Sequence, residues 1–126
     1  MPLVRVDLLR GKPAEYRQTA GEVVYEAMRS VLNVPEGDHF QILTEHDHGD
    51  MVVDPDYVGI HRTDDCVFIQ VTLNEGRTVE QKRAFYKIIA DELHAKLGLR
   101  REDVFIVLTE VKKENWSFGN GEATYA

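Results

Sequence analysis

The sequence predicts an α/β chain made of two copies of one β-α-β unit, giving a four-stranded sheet with two helices on one face and a short C-terminal hairpin. Two observations predict it. Apolar residues recur with a period of two in some segments and at helical spacing in others, in the order strand, helix, strand, connector, strand, helix, strand. One half also slides onto the other at a single ungapped offset of 65 positions. Val6 then meets Val71, Leu8 meets Leu73, Gly11 meets Gly76 and Glu15 meets Glu80. Leu32 meets Leu97, Asp38 meets Asp103, Phe40 meets Phe105, and Leu43-Thr44-Glu45 falls on Leu108-Thr109-Glu110.

Val4, Val6 and Leu8 alternate with Arg5 and Asp7 and mark the first strand, which Gly11-Lys12-Pro13 ends. Pro13 can open a helix, where its missing N–H costs nothing. Ala20, Val23, Val24, Ala27, Met28, Val31 and Leu32 form that helix's apolar stripe, and Asn33 and Pro35 stop it. Phe40, Ile42 and neighbouring Leu43 mark the next strand, with Asp38 at its head. In the second copy Ile69, Val71 and Leu73 alternate with Gln70 and Thr72. Thr78 is a helix cap, and Gln81 three residues on completes a capping box. Phe85, Ile88, Ile89, Leu93 and Leu97 are the stripe, Gly98 the stop, and Val104 to Leu108 a buried strand. Gly119-Asn120-Gly121 marks a tight turn near the C-terminus. The copies occupy about 1–50 and 66–111, and the whole of 1–126 reads as one domain.

Strand, helix and strand of these lengths form a parallel pair with a right-handed crossover. Two units leave one sheet face bare, and Phe68, Val104, Ile106 and Leu108 are too apolar to leave exposed together. Packing sheets from several subunits around an axis covers it. The pattern alone is equally compatible with a ferredoxin-like monomer.

Apolar content of 43% and charged content of 29% are those of a globular protein. A net charge of −7 argues against non-specific nucleic-acid binding. It leaves room for an anionic substrate held locally by an arginine. No stretch reads as a membrane span, and Arg5, Asp7 and Arg10 interrupt any signal-peptide core, so a cytoplasmic protein is expected. Cys66, the one cysteine, heads an apolar run and reads as a buried thiol. His46, Asp47, His48 and Asp50 lack a clear fourth ligand, so no metal is expected there.

Met1-Pro2-Leu3 at the head of a duplicated β-α-β unit resembles the tautomerase superfamily, in the branch that contains malonate semialdehyde decarboxylase. The resemblance covers nearly the whole chain. Its landmarks are Pro2, Val34-Pro35-Glu36-Gly37-Asp38, Thr44-Glu45-His46, Gly59-Ile60-His61-Arg62-Thr63-Asp64, Arg77-Thr78 and Trp116-Ser117-Phe118-Gly119. It implies a homotrimer and a cofactor-free enzyme for a small carboxylate-bearing oxo or enol substrate.

Removal of Met1, which a small second residue permits, would free Pro2 as a secondary amine. A free α-amino group titrates near roughly 7.7–8.0. Burial or a neighbouring arginine lowers that value by disfavouring the ammonium form. The neutral amine can abstract a proton beside a carbonyl, and the ammonium can polarise one. The repeat sets Pro2 opposite Val67, which is mid-chain and has no free amine. The resemblance further implies that Asp38 tunes the proline or a water, that Arg77 holds the substrate carboxylate, and that Trp116 and Phe118 wall the site. Where the decarboxylase has Arg-Pro-Arg, this chain has Glu75-Gly76-Arg77, so one cation is replaced by an acid. Keto–enol tautomerisation by Pro2 is therefore the expected reaction. Malonate semialdehyde-type decarboxylation or hydration stands as the alternative, and a non-catalytic trimeric scaffold as another.

Overall fold

The computed structural model describes residues 2–125. Its elements are β1 (Leu3–Leu9), α1 (Ala14–Val31), β2 (Gln41–His46), β3 (Val67–Asn74), α2 (Val79–Leu97) and β4 (Val104–Val111). The sheet order is β2-β1-β3-β4, with β1/β2 and β3/β4 parallel and β1/β3 antiparallel. Each helix therefore crosses between directly neighbouring strands. A ferredoxin-like chain splits its β-α-β units, so that alternative is set aside.

The duplication is visible in the register. Val4 faces Gln41 and Val67 faces Val104, so both units pair residues 37 apart in the chain. Arg5 faces Gln70, its own repeat partner, so the pseudo-twofold axis passes through that pair. One ion pair is duplicated as well. Arg17 meets Glu45 at 3.0 Å, and Lys82 meets Glu110 at the matching positions. Each ties the end of a strand to the first turns of its helix.

The core lies between the sheet and the two helices. Val4, Val6, Ile69 and Val71 project into it from the central strands, and Val24, Met28, Phe85 and Ile89 from the helices. Capping follows the expected chemistry. Thr78 Oγ1 accepts the Gln81 N–H at 3.1 Å while Gln81 Oε1 accepts the Thr78 N–H at 2.9 Å. Gly98, at φ 66°, ends α2 in the left-handed region that suits glycine. Pro13 stands at the cap position just ahead of α1. No helix among the described residues is long and apolar enough to cross a membrane.

Three sequence expectations need correction. On the bare face, Phe68 is right, but Val104, Ile106 and Leu108 turn toward the helices. Phe105 and Val107 take their place, 43% and 40% exposed, and at the opposite edge of the sheet Phe40 and Ile42 are 52% and 42% exposed. An apolar run without alternation carries no mark of which parity faces the core. Asp38 ends a turn, its N–H donating to Pro35 O at 3.2 Å, and β2 starts three residues later. Among the described residues the expected C-terminal hairpin is a folded-back turn without paired strands. The Phe118 N–H donates to Thr124 Oγ1 at 3.2 Å, and Tyr125 packs edge-on against Phe118 at 4.9 Å.

Candidate active site

The antiparallel β1/β3 pairing decides where the site forms. It sets the start of β1 beside the end of β3. Leu3 faces Thr72, and one step further along that ladder Pro2 comes alongside Leu73. On the other flank the Val4 N–H donates to Phe40 O at 3.1 Å, which lays the approach to β2, and with it Asp38, along the same end. Val111 closes the fourth side by pairing with Asn74 and accepting the Glu75 N–H at 2.9 Å. Pro2, Asp38, Arg77 and Trp116 thus come from four separate stretches of chain to the same end of the sheet. Met1, and the question of its removal, lie outside the described residues.

Pro2 is buried, and Asp38 is half-buried. The turn that carries Asp38 is held by the Tyr25 hydroxyl, which accepts the Gly37 N–H at 2.9 Å, and by Tyr25 stacking on His39 at 4.1 Å. Gly37 has φ 87°, a conformation that a side chain at that position would strain.

Arg77 is half-buried. Its Nε and Nη2 both donate to Leu32 O, at 3.3 and 2.9 Å, and its Nη1 to Asn74 O at 3.0 Å. The guanidinium therefore caps the C-terminal end of α1, where a cation also meets the negative end of the helix dipole. Among the described residues no carboxylate lies within ion-pair distance of it. Two of its five N–H donors remain beyond these three bonds. Glu75, the acid that stands where a second cation was expected, has an exposed side chain. The loop between them is fastened by Glu110, which accepts the Gly76 N–H at 3.3 Å. The Lys82 ammonium bonded to Glu110 holds that carboxyl below its ordinary value.

Trp116 donates its indole N–H to Asn74 Oδ1 at 2.7 Å and lies 5.5 Å from the Phe118 ring. Tyr125 extends this row of rings. Asn74 and Tyr125 were missed in the sequence. Asn74 had one available mark: its repeat partner is Leu9, so a polar residue stands where the other copy is apolar.

At the opposite end of the sheet the repeat partners do structural work. Val67 is core, 1% exposed. Asp103, fully buried, accepts the Thr63 N–H and hydroxyl, both at 2.7 Å, and ties the connector to β4. Lys12 pairs with Asp65 at 3.2 Å. The histidine-rich segment is likewise engaged. His46 meets Asp7 at 2.6 Å, Asp47 meets Arg10 at 2.7 Å, and His48 lies 4.0 Å from Asp64.

Cys66 is fully buried. Burial, helped by Asp103 and opposed by Arg62, pushes its thiol up to about 11. A raised value keeps the thiol protonated at neutral pH, and the thiolate is the nucleophile. Native protein at pH 8 is expected to leave an aromatic disulfide reagent unreacted, while protein unfolded in guanidinium consumes one equivalent. Rapid labelling of the native fold would contradict this assignment.

A groove of about 540 Å³ lies on the bare sheet face, lined in part by Asp7, His46, Phe68, Gln70, Phe105 and Val107. It sits away from Pro2, toward the other end of the strands. Phe68, Phe105 and Val107 share it with charged groups, Asp7, Asp54 and Arg62.

Comparison with known proteins follows the same lines. Two family models, both described as tautomerase enzyme, match residues 2–60 and 38–119. A probable tautomerase of Bacillus subtilis, YusQ, is 41% identical over 98% of this chain and 97% of its own. The solved structure of FG41 malonate semialdehyde decarboxylase inhibited by 3-bromopropiolate is 38% identical, with a TM-score of 0.89 over 98% of this chain and 93% of that one. A fused 4-OT described as a symmetric trimer is 25% identical, with a TM-score of 0.78 over 98% and 97%. A duplicated β-α-β sheet and relatives that match it end to end place this chain in the tautomerase superfamily.

Proposed function

We propose that the protein is a cytoplasmic, cofactor-free tautomerase that moves a proton between carbon and oxygen of a small oxo acid, with Pro2 carrying it. The supporting observation is that a buried Pro2 lies at the same end of the sheet as the Trp116 and Phe118 rings and as Arg77, which makes no ion pair among the described residues. In this reading processing frees the Pro2 nitrogen. The apolar surroundings and Arg77 disfavour its ammonium form, so the neutral amine is available as a base near neutral pH. Arg77 holds the substrate carboxylate. Asp38 tunes the amine or a water, and Trp116 and Phe118 exclude bulk solvent. The test is ketonisation of phenylenolpyruvate by processed protein. Absence of turnover on enol and oxo acids would favour a non-catalytic scaffold.

A second reading has its own support, the likeness to a malonate semialdehyde decarboxylase. There a protonated Pro2 polarises the carbonyl of a 3-oxo acid, which then loses carbon dioxide or adds water. Carbon dioxide release from malonate semialdehyde separates the two.

The same proposal includes a homotrimer whose subunits cover the bare sheet face. Phe40 and Ile42 at the β2 edge and Phe105 and Val107 on the β4 edge are apolar and exposed on that face, with Arg5 and Gln70 between them, and exposed apolar groups of this kind mark interfaces. Phe105→Glu would place a charge on the β4 side of that face, where Phe105 packs against Phe68. Sedimentation is expected to show trimer for the parent protein and monomer for this variant. A variant that stays trimeric would move the interface elsewhere.

A further inference from the structure

The contact between Trp116 and Asn74 fixes more than the indole. An indole N–H can only donate, so the carboxamide atom facing it at 2.7 Å must be the oxygen. Both N–H donors of Asn74 Nδ2 are then turned away from the ring. Among the described residues no acceptor meets them. The backbone carbonyl of the same residue accepts from Arg77 Nη1. A neutral donor pair and a guanidinium therefore hang from one point at the end of β3. The fold itself does not require an amide there, since the equivalent position of the other copy is Leu9.

We infer that Asn74 is a substrate-binding residue whose Nδ2 donates to an oxygen of the acid held by Arg77, in a direction set by the Trp116 indole. The inference rests on the reading of the site given above and names its substrate class. One cation and one neutral amide match a single carboxylate. A second carboxylate would have Glu75 in the adjoining loop, and Lys113 lies at the far side of the aromatic row, 5.9 Å from the Tyr125 ring centre. The preferred substrate is a monoanionic oxo acid.

Calorimetric titration with 3-phenylpropionate, an unreactive monocarboxylate, tests this without turnover. Asn74→Leu removes the donors and the indole contact, whereas Trp116→Phe removes the indole contact and keeps the donors. A hydrogen bond to a charged group contributes about 1.5–3 kcal/mol, so Asn74→Leu is expected to bind about tenfold or more weakly than Trp116→Phe. Equal affinities for the two variants would reduce Asn74 to an anchor for the aromatic wall and overturn the inference. Phenylsuccinate, the matching dicarboxylate, is expected to bind the parent protein more weakly than 3-phenylpropionate, and tighter binding overturns the charge argument. Failure of the parent protein to bind either acid overturns the anion site as a whole. Binding without turnover of phenylenolpyruvate sinks the proposed reaction and leaves Asn74 in place. Melting curves of both variants establish that they fold.

Discussion

Replacing Pro2 by Ala is expected to lower kcat/KM for phenylenolpyruvate by about 10²–10⁴, the range for a positioned general acid or base. The variant also begins with a small residue, so processing still frees a terminal amine. What changes is the kind of amine and its placement. The pyrrolidine ring closes the nitrogen onto its own side chain, which fixes the directions of its lone pair and N–H bonds. A primary amine on Ala has no such restraint and fills less of a buried position. Pro2 also lies one residue outside β1, so the strand ladder is unaffected. Thermal stability is expected to remain near that of the parent while activity falls. A loss of both together would mean that the ring is chiefly packing.

Arg77→Ala is expected to have two separable effects. Its three hydrogen bonds to Leu32 O and Asn74 O cap α1 and join the two repeats. Losing a charged donor from a part-buried position costs about 1.5–3 kcal/mol per well-made bond, and the three share one group, so a total of about 2–3 kcal/mol is expected in urea unfolding. The second effect is on substrate. A guanidinium that grips a carboxylate gives discrimination of about 10²-fold in kcat/KM, equivalent to about 2.7 kcal/mol. Arg77→Lys keeps the charge but not the planar fork, so it should recover part of the affinity and little of the cap. A destabilised Arg77→Ala protein with parent-like KM would leave Arg77 as a helix cap alone.

Much of this was legible because the fold is duplicated. The 65-residue offset located six elements, and the strand register repeats it strand for strand. The capping box at Thr78 and the stop at Gly98 were readable because their chemistry is local. Less local features were not. β4 is apolar on both faces, so its facing could be learned only from its pairing with β3. Asp38 looked like the head of a strand marked by Phe40, Ile42 and Leu43, yet the first copy makes a turn there and the second a short 3₁₀ segment.

The candidate site left a mark where the copies disagree, one that was read at Pro2 and not at Asn74. Pro2 against Val67 and Asn74 against Leu9 are positions where one end of the sheet acquired groups that the other lacks. Arg77 against Lys12 is subtler, since both are cations and only the structure separates them. Lys12 is paired with Asp65, whereas Arg77 meets only carbonyl oxygens among the described residues. The link from Asn74 to Trp116 spans 42 residues and has no sequence mark at all.

Nitrogen-15 NMR of protein labelled at proline reads the Pro2 nitrogen directly. A secondary amine whose titration matches a limb of the pH–rate profile on phenylenolpyruvate is the expected result. Full activity from protein in which that nitrogen is an amide, with Met1 retained, would contradict the mechanism.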